Sequence, residues 1–65
     1  MTMSDEAYKL KQGQKEYSNY FNAVKVAKAK AEEQDEPVTV CKKELKDFNP
    51  VVRIHPDGQE EKINN

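Results

Sequence analysis

Residues 8–21 read Tyr8-Lys9-Leu10-Lys11-Gln12-Gly13-Gln14-Lys15-Glu16-Tyr17-Ser18-Asn19-Tyr20-Phe21, and the fold turns on whether they are helical or extended. Read as a helix, Leu10 and, seven positions on, Tyr17 and Tyr20 run on into Val24, Ala27 and Ala31 at three- and four-residue spacing, an apolar seam along one side. Ser4 followed by Asp5 and Glu6 supplies a helix start, because carboxylates suit a first turn. Read as strands, Tyr8/Leu10 and Tyr17/Asn19/Phe21 alternate in period two, with Gly13 in a turn between them. We take the helical reading, in which Gly13 divides the stretch into two pieces. The extended reading stands as the alternative.

The neighbouring segment is helical on stronger grounds. Residues 22–34 contain Ala23, Ala27, Ala29 and Ala31 with Lys and Glu between them, all good helix formers. Asn19 or Asn22 can cap the start through its side-chain oxygen. Pro37 forbids continuation, because its ring disfavours a helical residue before it. The run Glu32, Glu33, Asp35 and Glu36 sits at the end where the helix dipole is already negative, so that end should fray.

Beyond Pro37 the pattern changes to β-branched runs, Val38-Thr39-Val40-Cys41 and Val51-Val52-Arg53-Ile54, the composition strands prefer. Pairing Val40 with Val52 also sets Val38 against Ile54 and turns all four to one face, so register and burial agree. In that register Cys41 meets Val51. Residues 43–49 form the connection, with Pro50 opening the second strand where a missing N–H is tolerable. His55-Pro56-Asp57-Gly58 carries type I turn chemistry. Residues 59–63 could return as a third strand ending at Ile63, although their Gln, Glu and Lys content disfavours it.

The expected fold is therefore α+β: an N-terminal helical half, of one or two helices, packed on a C-terminal antiparallel hairpin. The alternative is βαββ with residues 8–21 extended. Val38, Val40, Val52 and Ile54 would face Tyr20, Val24, Ala27 and Ala31, with Phe21, Leu45 and Phe48 closing the ends. The 65 residues make a single small domain, with 1–7 and 59–65 as flexible ends.

Composition limits the function. Leu, Ile, Val and Phe supply 12 of 65 residues, just under a fifth, yet the net charge is only −1, so the chain reads as a thin globule, not a disordered one. No apolar run is long enough to span a membrane. The acidic opening Met1-Thr2-Met3-Ser4-Asp5-Glu6 lacks signal-peptide order. Cys41 is the only cysteine, which excludes an internal disulfide framework and points to the cytoplasm.

Catalysis finds no support. Ser4 and Ser18 lie in no nucleophile elbow. In the expected register Cys41 and the only histidine, His55, stand about 13 Å apart along the strand, too far for a shared proton or metal. Two candidate ligands do not make a zinc site, and two glycines do not make a phosphate loop. The chain is read as non-enzymatic, without metal or cofactor.

Binding remains. A core this small leaves little net stability, which a larger protein or a second copy would supply. Tyr8 and Tyr17 offer amphipathic contact area, and Glu32, Glu33, Asp35 and Glu36 could steer a basic partner. These six residues are the candidate partner surface of a protein-binding module that modulates a larger protein as inhibitor, adaptor or regulator. The size suits a bacterial or phage accessory protein. The alternative is a DNA- or RNA-binding regulator using Lys25, Lys28, Lys42, Lys43, Lys46 and Arg53. A pI of about 5.8 argues against it. A third reading is a structural subunit of a homo-oligomer held through Leu10, Tyr17, Tyr20 and Val24.

Overall fold

The computed structural model describes residues 7–63. In chain order it contains β1 (Tyr8–Leu10), β2 (Glu16–Tyr17), α1 (Tyr20–Gln34), β3 (Val38–Glu44), β4 (Asp47–Ile54) and β5 (Glu60–Lys62). The strands form one antiparallel sheet in the order β2-β1-β3-β4-β5, and the single helix lies in the middle of the chain with strands on both sides.

This corrects the expected helical N-terminal half. Tyr8–Leu10 and Glu16–Tyr17 are strands joined through a turn at Lys11-Gln12, Tyr20 and Phe21 already belong to the helix, and the βαββ alternative also lacks two of the strands observed. The reason lies in the pairing: Tyr8, Lys9 and Leu10 sit opposite Lys42, Cys41 and Val40 of β3. Tyr8 and Leu10 are buried while Lys9 between them faces the other way, so the stretch obeys period two. The helical seam joined Leu10 to Tyr17 across seven residues and had no apolar partner between them. The helix start expected at Ser4, Asp5 and Glu6 lies outside the described residues, as do 1–6 and 64–65 of the ends expected to be flexible, whereas Glu60–Lys62 of the second end form β5.

The helix begins and ends where its caps dictate. Asn19, in extended conformation, accepts a hydrogen bond from the Asn22 N–H at 3.1 Å, which selects Asn19 over Asn22 as the cap. At the other end Asp35 takes a left-handed conformation with φ 55°, and its N–H and that of Glu36 both donate to the Ala31 carbonyl. Ala23, Ala27 and Ala31 are fully buried, so the absence of larger side chains lets the helix lie close on β1, β3 and β4. Val24 completes the buried stripe, with Tyr17, Tyr20, Val26 and Val51 packed around it.

The expected hairpin register holds where it is buried, with Val38 opposite Ile54 and Val40 opposite Val52. Past Val40 a bulge intervenes: Cys41 pairs with Pro50, not Val51, and Val51 is left unopposed. Pro50 has no N–H to donate, and a bulge is one of the few sheet positions that tolerates this. The strands then continue to Glu44 and Asp47, so the seven-residue connection expected over 43–49 shrinks to the turn Leu45-Lys46. Phe21 and Leu45 do not close the core; they are 80% and 95% exposed. Phe48 lies on the opposite side of the sheet.

His55-Pro56-Asp57-Gly58 turns as its chemistry implies. The Gly58 N–H donates to the His55 carbonyl at 2.9 Å, and Asp57 Oδ1 accepts from the Gln59 N–H at 3.0 Å. Gly58 has φ 94°, a value a side chain would resist. The chain thus returns as β5 alongside β4. No helix of the described residues is long and apolar enough to cross a membrane.

Candidate functional site

Among the described residues the one helix covers only one face of the sheet, and the pairing register assigns every strand residue to the covered or the open side. Lys9, opposite Cys41, lies on the open side, and so do Pro50 opposite Cys41, Lys43 opposite Phe48, and Thr39 opposite Arg53. Glu16, opposite Lys9, and Glu61, opposite Arg53, place carboxylates on that face as well. The Lys11 N–H bonds the Thr39 carbonyl at 2.8 Å, which carries the edge of β1 one residue further.

Within this face is a depression of about 410 Å³ lined by Lys9, Lys11, Cys41, Lys46, Asp47, Phe48 and Pro50. Its floor is apolar: Cys41 is 5% exposed, and Phe48 and Pro50 stand beside it. Its rim is cationic, three lysines to one aspartate. The Lys9 Nζ lies 4.7 Å from the centre of the Phe48 ring, close enough for the ammonium to be held by the ring face. Burial pushes the Cys41 thiol above its ordinary pKa, against the pull of Lys11 and then Lys9. At neutral pH it is therefore a protonated, apolar floor residue, not a thiolate nucleophile.

Farther along the open face the charges are neutralised in place. Arg53 lies 3.5 Å from Glu61, and the His55 Nε2 lies 2.8 Å from the same Glu61 oxygen. The hydrogen bond from His55, and after it the charge of Arg53, hold the Glu61 carboxyl below the usual carboxylate range, with desolvation opposing them. The Lys9–Lys11–Lys46 depression is thus where the open face keeps an excess of positive charge.

The residues singled out in the sequence do not come together as two surfaces. Tyr8 is 6% exposed and its ring meets Tyr20 in the core, while Tyr17 is half-buried opposite it. Both lie toward the start of α1. Glu32, Glu33, Asp35 and Glu36 are exposed at its end, about 22 Å away along a 15-residue helix. Leu10 and Val24 are likewise core residues, so the seam proposed for self-assembly is occupied within the chain.

The six basic candidates divide as well. Lys25 and Lys28 belong to α1, where Lys28 pairs with Glu60 at 3.6 Å. Lys42 lies opposite Tyr8 on the covered side of the sheet, Lys43 and Arg53 on the open side, and Lys46 in the turn. Lys9 and Lys11, the residues that join Lys46, were missed because a helical reading of 8–21 scatters them. The signal was present in the alternation Tyr8-Lys9-Leu10-Lys11. Among the described residues no three His, Cys, Asp or Glu side chains gather as metal ligands would.

No protein-family model, curated protein or solved structure matches the chain.

Proposed function

We propose that this chain is a non-enzymatic binding module that modulates a larger protein, and that it takes an acidic segment of that partner on the open face of its sheet. The observation that carries the reading is the lysine-rimmed depression: an apolar floor of Cys41, Phe48 and Pro50 under Lys9, Lys11 and Lys46. Such a site suits an apolar side chain flanked by carboxylates, the first held by burial and the second by charge. Nucleic acid fits it less well. Glu16 and Glu61 share the face, and the Lys9 ammonium already covers Phe48, the aromatic ring of the depression. A reducing compartment such as the cytoplasm suits a module whose single cysteine is a buried thiol.

The test is affinity capture from source-cell lysate with and without nuclease, comparing the unaltered chain with the double variant Lys9→Glu/Lys11→Glu. The reading expects an identified protein that survives nuclease and drops at least tenfold with the double variant. Recovery that disappears with nuclease assigns the face to nucleic acid instead. Capture indifferent to the double variant removes the open face from the site.

A further inference from the structure

The turn joining β3 to β4 has two central residues, Leu45 and Lys46, between the paired Glu44 and Asp47. Leu45 has φ 59°, and Lys46 is not in the positive region. A two-residue hairpin turn with positive φ at its first central position alone is type II′, a geometry that calls for glycine there. A leucine at that position crowds its Cβ against the backbone carbonyl. Nor does the side chain gain any compensation within the fold, since Leu45 is 95% exposed. Backbone strain and an exposed branched apolar side chain thus coincide at one residue, a combination that points to a role outside the fold.

The hairpin also projects. β1 pairs with β3 no further than Lys42, beyond which the Lys43 N–H bonds the Ala7 carbonyl. β5 pairs with β4 only over Val52–Ile54, and the Ile63 N–H reaches Val51. Among the described residues, 44–49 have no flanking strand. The projecting tip carries both signs of charge: Lys43 and Phe48 face the open side, where Asp47 also lines the depression, and Glu44 stands opposite Asp47 in the ladder. The Asn49 amide donates to Glu44 Oε1 at 3.1 Å, which ties that carboxylate back toward its own strand pair.

We infer that Leu45 is an anchor: the β3–β4 tip inserts its side chain into an apolar pocket of the partner protein, with Lys43 and Lys46 meeting carboxylates at the pocket rim. This rests on the reading that the open face docks a protein, and extends it from the depression to the tip. A single leucine flanked by Glu44 and Asp47 has too little apolar area, and too mixed a charge, to hold a lipid surface.

The decisive variant is Leu45→Gly, which relieves the turn while removing the anchor; Leu45→Ala keeps the strain and removes most of the side chain. We expect Leu45→Gly to raise the melting temperature by roughly 4 °C, the scale of a modest stabilisation in a domain this small. We expect both variants to lose at least tenfold of the nuclease-resistant protein captured by the unaltered chain. Unchanged capture by Leu45→Gly, with loss in Lys9→Glu/Lys11→Glu, overturns the anchor and leaves the open-face reading standing. Loss in Leu45→Gly with unchanged capture by the lysine variant keeps the anchor and removes the depression. If neither variant changes capture, or the unaltered chain retains no protein, both readings fall. A lower melting temperature in Leu45→Gly overturns the strain premise and the inference with it. Sedimentation of the purified chain alone, and with phosphatidylserine vesicles, completes the test: Leu45-dependent self-association or vesicle binding assigns the tip to a second copy or a membrane and overturns the partner-pocket inference.

Discussion

The rings of Tyr8 and Tyr20 meet edge to face, 5.6 Å between centroids and 69° between planes, and this contact ties the first strand to the first turn of the helix. Tyr8 is 6% exposed, so Tyr8→Ala removes a buried aromatic ring and leaves a cavity beneath α1. Losses of this kind run to about 3–5 kcal/mol, a large fraction of the stability of so small a domain. We predict that Tyr8→Ala is largely unfolded at room temperature by circular dichroism. Any loss of partner binding in that variant then reports unfolding rather than a missing contact. A folded, cooperative Tyr8→Ala would contradict the placement of Tyr8 in the core.

Ala27 lies under the middle of the helix with no exposure. The close seating of α1 on the sheet leaves no room for added methylenes, and overpacking of this kind costs about 1–3 kcal/mol. Urea denaturation of Ala27→Leu should show the loss directly. The exposed neighbour Ala29 provides the contrast: Ala29→Leu should stay within about 0.5 kcal/mol of the unaltered chain.

Asp35 holds the left-handed position after the helix, φ 55°, where glycine is the usual residue. It also adds a negative charge at the negative end of the helix dipole. Replacing it with glycine removes both penalties, against the greater freedom glycine gains when unfolded. We predict a gain of about 0.5–1 kcal/mol for Asp35→Gly, read as a higher urea midpoint with an unchanged slope. A lower midpoint would mean that the Asp35 carboxylate has a stabilising role the helix end does not reveal.

Glu61 sets an acid-side pH dependence. Its carboxyl is held below the usual range by the hydrogen bond from His55 and then by Arg53. The folded chain therefore binds this proton less readily than the unfolded chain. The contribution is present above the ordinary carboxylate pKa and disappears as pH falls through the lowered folded value. Because the side chain is solvent-exposed the effect is small and salt-sensitive. Glu61→Gln should flatten that part of a plot of urea midpoint against pH; an acid limb identical in the two proteins would discount the contact.

The chain's own pattern determines its locally encoded parts. Val38, Val40, Val52 and Ile54 share a buried face and pair fully with one another when Val40 meets Val52, and that register is the observed one. Pro37 and Asn19 bound the helix, and Pro56-Asp57-Gly58 makes its turn from its own dihedral preferences and side-chain oxygen. The tertiary structure alone decided the rest. Tyr8–Leu10 are extended because β3, about thirty positions later, offers backbone partners and a buried face for Tyr8 and Leu10, which local propensity does not register. That same long-range pairing brings Lys9 and Lys11 beside Lys46, while the β3–β4 ladder runs to Glu44 and Asp47 despite the absence of a glycine in its turn. The candidate site is made of contacts between distant strands, so its residues became neighbours only when the sheet closed.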